Sequence, residues 1–535
     1  MSLAIVEGNI PNHPLWKVES LEQALIEAGK SHSGIGFIDA LGERCHWNYQ
    51  EFYRRAAAIG QVLLDIGIEK GDRIILRVEE PSAFLLSLWG CILVGATAIP
   101  ITASKPLPAQ PASTQDMINA LAAIKPKAII ATGADVNTFS GIIERYPQER
   151  ITVVDAETFH TIPPKNISLQ RALTGDEIAL IFPTSGSTGT PKLVPQTVKA
   201  LISMAAGSIE MNRFDSSDVF LNWMPMDHVG SLAYLCILPI CAKATQIHVN
   251  NSWVRADIQR FPELLSEYKV TAGWVPNHVF SQLSKLDINP TWNLRHLRFL
   301  VNAGESIGHQ MEVCADKFSE CGLNPNALRP AFGMSETCSG ITWSDGNRHR
   351  YRGFVDLGSP IPGAGMRVIS DDGGIVEQGE IGRLQVRGGS VTKGYLHHEP
   401  HQSDEGWFDT GDNALIHEGR LYLTDREGDA IEGLSVPGYM IEGDIDGFAG
   451  VSAGLTAICQ ASGIVGVFFV PEDGAQSPSL MTQVNEYLAP RLGKLRYKVF
   501  CCRQDEIPRT SIGKIQRKVL RRRLATSLTT QVQPA

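Results

Sequence analysis

Pro183-Thr184-Ser185-Gly186-Ser187-Thr188-Gly189-Thr190-Pro191-Lys192 is the stretch that decides how the rest of the chain is read. It follows Ile178-Ala179-Leu180-Ile181-Phe182, a short apolar run of the kind a buried strand requires. From Thr184 to Lys192, nine positions hold two glycines, five hydroxyl residues and a lysine. Glycines let the backbone come close to a bulky anion with no Cβ in the way. Successive backbone N–H groups and short hydroxyls can then cradle phosphate oxygens, and Lys192 adds a point charge. Taken alone, such a loop is also compatible with a polar surface turn. Its order, T-S-G-S-T-G-T-P-K, differs from the G-x-x-x-x-G-K-[ST] of P-loop nucleotide hydrolases. The other motifs of the chain must therefore carry the decision.

Six of them follow in sequence. Leu221-Asn222-Trp223-Met224-Pro225-Met226-Asp227-His228-Val229-Gly230-Ser231 and Thr271-Ala272-Gly273-Trp274-Val275-Pro276-Asn277 are apolar segments ending in polar groups. Leu300-Val301-Asn302-Ala303-Gly304-Glu305-Ser306 precedes Phe332-Gly333-Met334-Ser335-Glu336-Thr337. Farther on come Gly406-Trp407-Phe408-Asp409-Thr410-Gly411-Asp412 and Pro508-Arg509-Thr510-Ser511-Ile512-Gly513-Lys514-Ile515-Gln516-Arg517. In isolation each has a bland reading: core residues, a helix N-cap, a β-turn aspartate, a solvated lysine in a basic tail. In this order they resemble the motifs of the acyl-adenylate-forming (AMP-binding) superfamily over about residues 20–523. The closest likeness is to fatty acyl-AMP ligases and the loading adenylation domains of polyketide and nonribosomal peptide assembly lines.

The resemblance implies a set of roles. Thr184, Ser185, Gly186, Ser187, Thr188, Gly189 and Lys192 would hold the phosphates of ATP. Gly304 and Glu305 would lie on the adenine side, with Phe332 and Gly333 against the base. Ser335 would reach the α-phosphate. Glu336 would bind Mg²⁺, which commonly takes only one or two protein carboxylates besides phosphates. Asp412 and Arg426 would hold the ribose, the former as a charge-assisted acceptor. His228, Val229, Gly230, Trp274, Asn277, Asn302 and Met334 would line the acyl pocket, with His228 as its gate and Thr271 to Asn277 as a pocket strand. Lys514 would touch both the acyl carboxylate and the α-phosphate, which makes Lys514, Glu336, Ser335 and Thr184 the expected catalytic set. Amino-acid-activating relatives carry an aspartate directly after the gate; here Val229 stands there. A buried valine cannot offset the desolvation of an α-ammonium, so an acid without an α-amino group is expected. By alternation along a strand, Asp227 is expected to point away from the pocket.

The chain departs from the family at two places. Gly428 stands where relatives have Asp or Lys at the hinge, and the proline of the family's G-Y-R-I-E-P-G-E-I-E is missing from Gly438-Tyr439-Met440-Ile441-Glu442-Gly443-Asp444. These differences bear on the thiol-transfer step, which leaves three functional readings. A carrier-protein phosphopantetheine is the first choice of acceptor and CoA the alternative. A non-catalytic adenylate-fold binding protein is the reading of a different class. No Ser-centred carrier motif is present, so a carrier would be a separate partner or domain.

Length and composition agree with this picture. A chain of 535 residues suggests several domains, and 43% apolar with 20% charged residues fits substantial cores. A net charge of −9 leaves no electrostatic footprint for nucleic acid. Ten scattered cysteines form no C-x-x-C pair, and the short apolar run Leu3 to Val6 is too little for a signal core, so a cytoplasmic setting is expected. The uncharged stretch Pro81 to Ser104 imitates a membrane span, but Gly90, Gly95 and Pro100 point to a buried helix, a turn and a short strand, Ala96 to Ile101.

The periodicities predict helices from Ser20 to about Gly29 and over Tyr49 to Asp65. They predict strands at Gly34–Asp39, Ile74–Val78, Ala128–Ala131 and Ile151–Asp155, with hairpin strands at Gly379–Gly388 and Lys393–Leu396. Alternating helices and apolar strands make the fold α/β. The expected organisation is an N-terminal adenylate-forming domain of layered α/β subdomains over 1–427, a small mobile α+β lid over 428–525, and a tail over 526–535.

Overall fold

The computed structural model describes residues 2–529 apart from 102, 104–120, 146–149, 168, 170, 185–191, 306, 309, 347–348, 427–429, 435, 473–477 and 511–512. Residues Ser185, Gly186, Ser187, Thr188 and Gly189 of the expected phosphate loop and Gly428 of the expected hinge thus lie outside the described residues, as does the side chain of Arg426.

Two mostly parallel sheets and one antiparallel sheet make up the layers before residue 427. The first runs Thr152–Asp155, Ala128–Ala131, Arg73–Arg77, Thr97–Pro100, Ile178–Thr184, Lys192–Thr197. All its pairings are parallel except the last, so the chain turns back on itself across the phosphate loop, with Thr184 opposite Lys192. The second, nine-stranded sheet has the parallel core Leu328–Met334, Phe299–Asn302, Ala272–Trp274, Val219–Asn222, Thr245–Val249 and Gly34–Ile38. Antiparallel strands close its two edges. Parallel strands covered on both faces are mostly apolar: Phe220, Leu221, Ile247, Phe299 and Leu300 are all buried, and the polar exceptions Asn222, Gln246, His248 and Asn302 are buried with them. The third sheet, Ile5–Glu7, Ala364–Ile369, Gly382–Gly388, Phe408–His417, Arg420–Arg426, is antiparallel.

The span-like stretch is a core helix. Every residue of Pro81–Val94 is buried, and the helix stops at Gly95, whose φ of +78° is left-handed. A Cβ there would sit 2.5 Å from the carbonyl oxygen of Arg171, so the C-terminal turn needs glycine. The chain then enters the strand Thr97–Pro100. Among the described residues no helix is long and apolar enough to cross a membrane.

Beyond residue 430 a three-stranded sheet, Ala457–Ala461, Ile464–Phe469 and Arg496–Cys501, packs with helices Gly438–Asp446, Pro478–Leu492 and Arg517–Thr529. Its cores, one around Ile441, Val467 and Leu488 and one around Phe468, Leu520 and Leu524, are distinct from the large core that precedes them.

Three local expectations are corrected. Lys393–Leu396 is not a strand: past Gly388 the chain leaves the sheet, Thr392 bonds locally to the carbonyl of Gly394, and Leu396 N donates to Leu193 O. The pocket strand after Thr271 ends at Trp274, because Pro276 caps a helix, Asn277–Lys285. The strand before His228 ends at Asn222, and residues 223–228 form turns leading through the helical Val229 into a π-type helix, Gly230–Ile237. Strand alternation therefore does not apply to Asp227 and His228.

Candidate active site

The hairpin that carries the phosphate loop brings Lys192 to a place the sequence did not reveal. Its ammonium lies 4.4 Å from the centre of the Tyr395 ring. The hydroxyl of the same tyrosine donates to Glu336 Oε1 at 2.9 Å. Glu336 is 7% exposed, and its backbone carbonyl accepts from Thr392 N at 2.8 Å. One buried aromatic thus spans the basic group of the loop and the acidic group of the Ser335–Thr337 turn. That turn is fixed from behind, where Gln196 donates to the carbonyl of Ser335 and Thr337 Oγ1 donates to Ser339 O at 2.6 Å.

With Tyr395 on Oε1, Oε2 of Glu336 has no partner among the described residues, and no described group of three or more His, Cys, Asp or Glu could hold a metal by itself. A hard cation sharing this one carboxylate with the phosphates of a nucleotide fits such a donor set. Replacing Glu336 by Gln should weaken adenylate formation, with part of the loss recovered at high Mg²⁺. Exchange kinetics over a Mg²⁺ series check this, and an unchanged Mg²⁺ dependence would remove Glu336 from the metal site.

On the other face of the Leu328–Met334 strand's end, Phe332 is buried and Gly333 pairs with Gly340 across a bulge. A Cβ on Gly333 would meet Ser339 O at 2.0 Å, so the close pairing demands glycine. Asp412 lies opposite Arg426 in the antiparallel pair Phe408–His417 and Arg420–Arg426, and its amide donates to Thr410 Oγ1 at 3.1 Å.

The pocket residues converge at the ends of the parallel strands, where ligands of open α/β sheets bind. Asn222 organises the turn that presents His228. Its Oδ1 accepts from Met224 N at 3.1 Å and its Nδ2 donates to Ser231 Oγ at 3.0 Å, within a buried network that continues through His248, Gln246 and Tyr49. The His228 ring packs on Trp274, centres 4.7 Å apart, and Nδ1 accepts from Gly230 N at 3.1 Å. In the neutral ring Nε2 therefore carries the proton. Val229 is buried, and a Cβ on Gly230 would press on Trp274 at 3.0 Å. Asn302 donates to Asn277 Oδ1 at 3.2 Å, while Asn302 Oδ1 and Trp274 Nε1 are buried without hydrogen-bond partners among the described residues. Met334 is partly buried against the same core.

Burial, and secondly the charge of Lys514, lower the His228 pKa to about 4. An unfolded histidine titrates near 6.5. Between those values the unfolded chain binds a proton that the folded chain refuses, so stability falls as the pH drops from about 6.5 to about 4 and is unaffected by this group above 6.5. Wild type should lose more stability than His228→Gln on going from pH 7 to pH 5, as read by denaturant melts. Equal losses would show that the ring is not held neutral.

Lys514 reaches the site from the C-terminal segment. Its Nζ donates to Gly304 O at 3.1 Å, 210 residues away. Gly304 has a φ of +89° and lies beside Trp274. Burial would raise the carboxyl of Glu305, but the neighbouring His278 and Lys514 outweigh it and hold the carboxyl below its usual range. The structure so brings Lys514, Gly304, Glu305, Trp274 and His228 together, and separately Lys192 and Glu336. Sequence reading missed Tyr395 and His278. A lone Tyr in K-G-Y-L and a lone His after an Asn carry no local signal; both matter through contacts far apart in the chain.

A family model described as AMP-binding enzyme matches residues 28–396. Among curated proteins, the nonribosomal peptide synthetase btyA of Aspergillus terreus is 33% identical over 277 residues, covering 48% of this chain and 30% of that protein. The chain spans only 30% to 42% of the length of the first curated relatives it matches. Among solved structures, McyG A-PCP complexed with phenylalanyl-adenylate superposes with a TM-score of 0.88 at 29% identity, over 99% of this chain and 86% of that one. A fatty acyl-adenylate ligase from a study of the E. coli and L. pneumophila enzymes superposes with a TM-score of 0.85 at 21% identity, over 96% and 99%, a likeness of fold. With more than half its length matched by that model, the chain belongs to the AMP-binding enzyme family and is an adenylate-forming enzyme of the adenylation-domain kind.

Proposed function

We propose that this enzyme uses ATP and Mg²⁺ to activate a carboxylic acid without an α-amino group, and then passes the acyl group to a carrier-protein phosphopantetheine thiol. The observation that carries the reading is the reach of Lys514 to Gly304, beside Trp274; in this reading the ammonium would stand between the acyl pocket and the nucleotide. In the first step a carboxylate oxygen of the acid attacks the α-phosphorus of ATP. The new P–O bond forms as the bond to the bridging α–β oxygen breaks, and pyrophosphate leaves. Little covalent chemistry is asked of the protein, whose work is positioning and charge stabilisation. Lys514 would neutralise charge shared by the acyl carboxylate and the α-phosphate, the loop from Thr184 to Lys192 would hold the outgoing phosphates, and Ser335 would orient the α-phosphate. Glu336 would hold Mg²⁺, which supplies charge neutralisation on the phosphates. Phe332 would stack on adenine, and Asp412 and Arg426 would fix the ribose.

The division of labour follows the two core systems: residues 1–427 would bind ATP and acid, residues 428–525 would act as the lid, and 526–535 would be a tail. In the second step the thiolate attacks the acyl carbon, the thioester forms and AMP leaves. The carrier acceptor is supported by a solved adenylation–carrier relative. The phenylalanyl-adenylate in that relative belongs to that protein; here Val229 stands directly after the His228 gate, where amino-acid-activating relatives carry an aspartate. Incubating the enzyme, acid and ATP with either a holo-carrier or CoA tests the acceptor. Thioester mass on the carrier is expected to exceed turnover with CoA. Preferred turnover with CoA would make the protein an acyl-CoA synthetase, and no thioester on either would restrict it to adenylation.

A further inference from the structure

Between the large core and the C-terminal segment, one side chain is clasped by two positions that lack a Cβ. His278 is the second residue of the helix Asn277–Lys285. A Cβ on Gly513, the residue before Lys514, would lie 2.5 Å from His278 Cε1; one on Gly454 would lie 2.6 Å from His278 Cβ. Both glycines have left-handed φ, +87° and +74°, and approach the imidazole and the base of its side chain more closely than any other residue type could. Glu305 lies against His278 from the residue's own side, bonding its backbone and facing its ring. Glu305 Oε1 accepts from His278 N at 3.3 Å and lies 3.6 Å from Nδ1, with both side chains less than a fifth exposed. Glu305 directly follows Gly304, whose carbonyl receives the Lys514 ammonium. Gly513 therefore rests on His278, and Lys514 contacts the residue next to His278's partner.

The far end of the same helix makes the rest of the joint. Two turns on, about 10 Å along the axis, Lys285 Nζ donates to Val451 O at 2.6 Å and pairs with Glu472 at 2.7 Å. Ser284 donates to Gln310 Oε1 at 3.3 Å, and Gln310 Nε2 donates to Gly443 O at 3.2 Å. The exposed Lys285 pair adds little energy. His278 is the contact that is buried, shape-matched and adjacent to the lysine.

We propose that His278, braced by Glu305, is the seat on which the lysine-bearing loop lands, and hence a positioning residue for adenylation but not for thiol transfer. The inference rests on the function proposed above. Adenylation needs the ammonium at one place, and a displacement of about 1 Å at a reacting centre can cost on the order of 10²-fold. Thiol transfer would use another orientation of the segment, in which Gly513 is not on His278. Loss of the seat should therefore separate the two steps.

The test uses the whole chain and four forms: wild type, His278→Ala, His278→Phe and Gly513→Ala. Acid-dependent ATP–pyrophosphate exchange reads the first step, and transfer from chemically prepared acyl-adenylate to a holo-carrier reads the second. His278→Ala and Gly513→Ala should lower kcat for exchange about tenfold or more, with KM for ATP and the rate of transfer within about twofold of wild type. His278→Phe keeps the bulk under Gly513 without the Glu305 pairing and should recover part of the loss. Gly513 is in a loop, so its variant guards against a folding failure at His278. Wild-type exchange in both His278→Ala and Gly513→Ala, or equal losses in the two steps, would overturn the seat. A wild-type enzyme that gives no exchange with any acid would instead overturn the function on which it rests.

Discussion

Replacing Lys514 by alanine is expected to lower adenylate formation by on the order of 10²-fold or more, with little change in folding. The stability half follows from what the side chain touches. Its ammonium contacts a backbone carbonyl, Gly304 O, at an exposed position, and exposed polar contacts of this kind contribute little to stability. The kinetic half follows from where it points. In an in-line displacement at phosphorus, negative charge spreads over the attacking carboxylate and the α-phosphate oxygens. A fixed cation aimed at that charge is worth several kcal/mol of barrier, and each 1.4 kcal/mol is a factor of about ten. Exchange with the best acid, beside a melting curve, checks both halves. Near wild-type exchange would refute the role of Lys514; a collapsed melting curve would mean that its part is structural.

The second large effect concerns the acid. A carboxylic acid without an α-amino group should be preferred over its amino analogue by at least about a hundredfold in kcat/KM. The residue after the His228 gate is Val229, 4% exposed, and the ring beside it is Trp274. Neither offers an anion. An unpaired buried ammonium costs several kcal/mol, which in affinity terms exceeds two factors of ten. The neutral His228 imidazole does not compensate, because its acceptor nitrogen Nδ1 is taken by Gly230 N and Nε2 carries a proton. Asp227 is the nearby carboxylate that could reverse the preference, since it lies in a turn and strand alternation does not turn it away. Matched pairs such as phenylpropionate and phenylalanine decide. If the amino acid wins in wild type and loses in Asp227→Asn, the anchor is Asp227; if it wins in both, Val229 is not at the anchor position.

Much of the architecture was legible because strand and core requirements are local. The apolar run Ile178 to Phe182 can only be buried, and Pro81 to Val94 is interrupted by Gly95 where a helix must end. Motif order gives which residues are expected to gather. It does not show why they stay in place. Lys393–Leu396 reads as a hairpin strand from its sequence, but the bond from the Tyr395 hydroxyl to Glu336 spans 59 residues and has no sequence signature. His278 is invisible for a related reason: its partners are two absences, the missing Cβ atoms of Gly454 and Gly513. The turn at 223–228 defeated alternation because Asn222 caps it through side-chain bonds to Met224 and Ser231, which no period-two pattern encodes.

This chain is expected to join a carboxylic acid to AMP. Acid-dependent exchange of labelled pyrophosphate into ATP tests it most directly, since the exchange requires reversible formation of the acyl-adenylate and needs no acceptor thiol. Across a panel of aliphatic, aryl and amino acids, label is expected to enter ATP with at least one acid that lacks an α-amino group, and to vanish when Lys514 is alanine. Binding of ATP without exchange for any acid in the panel would contradict the account and leave a non-catalytic nucleotide-binding protein in its place.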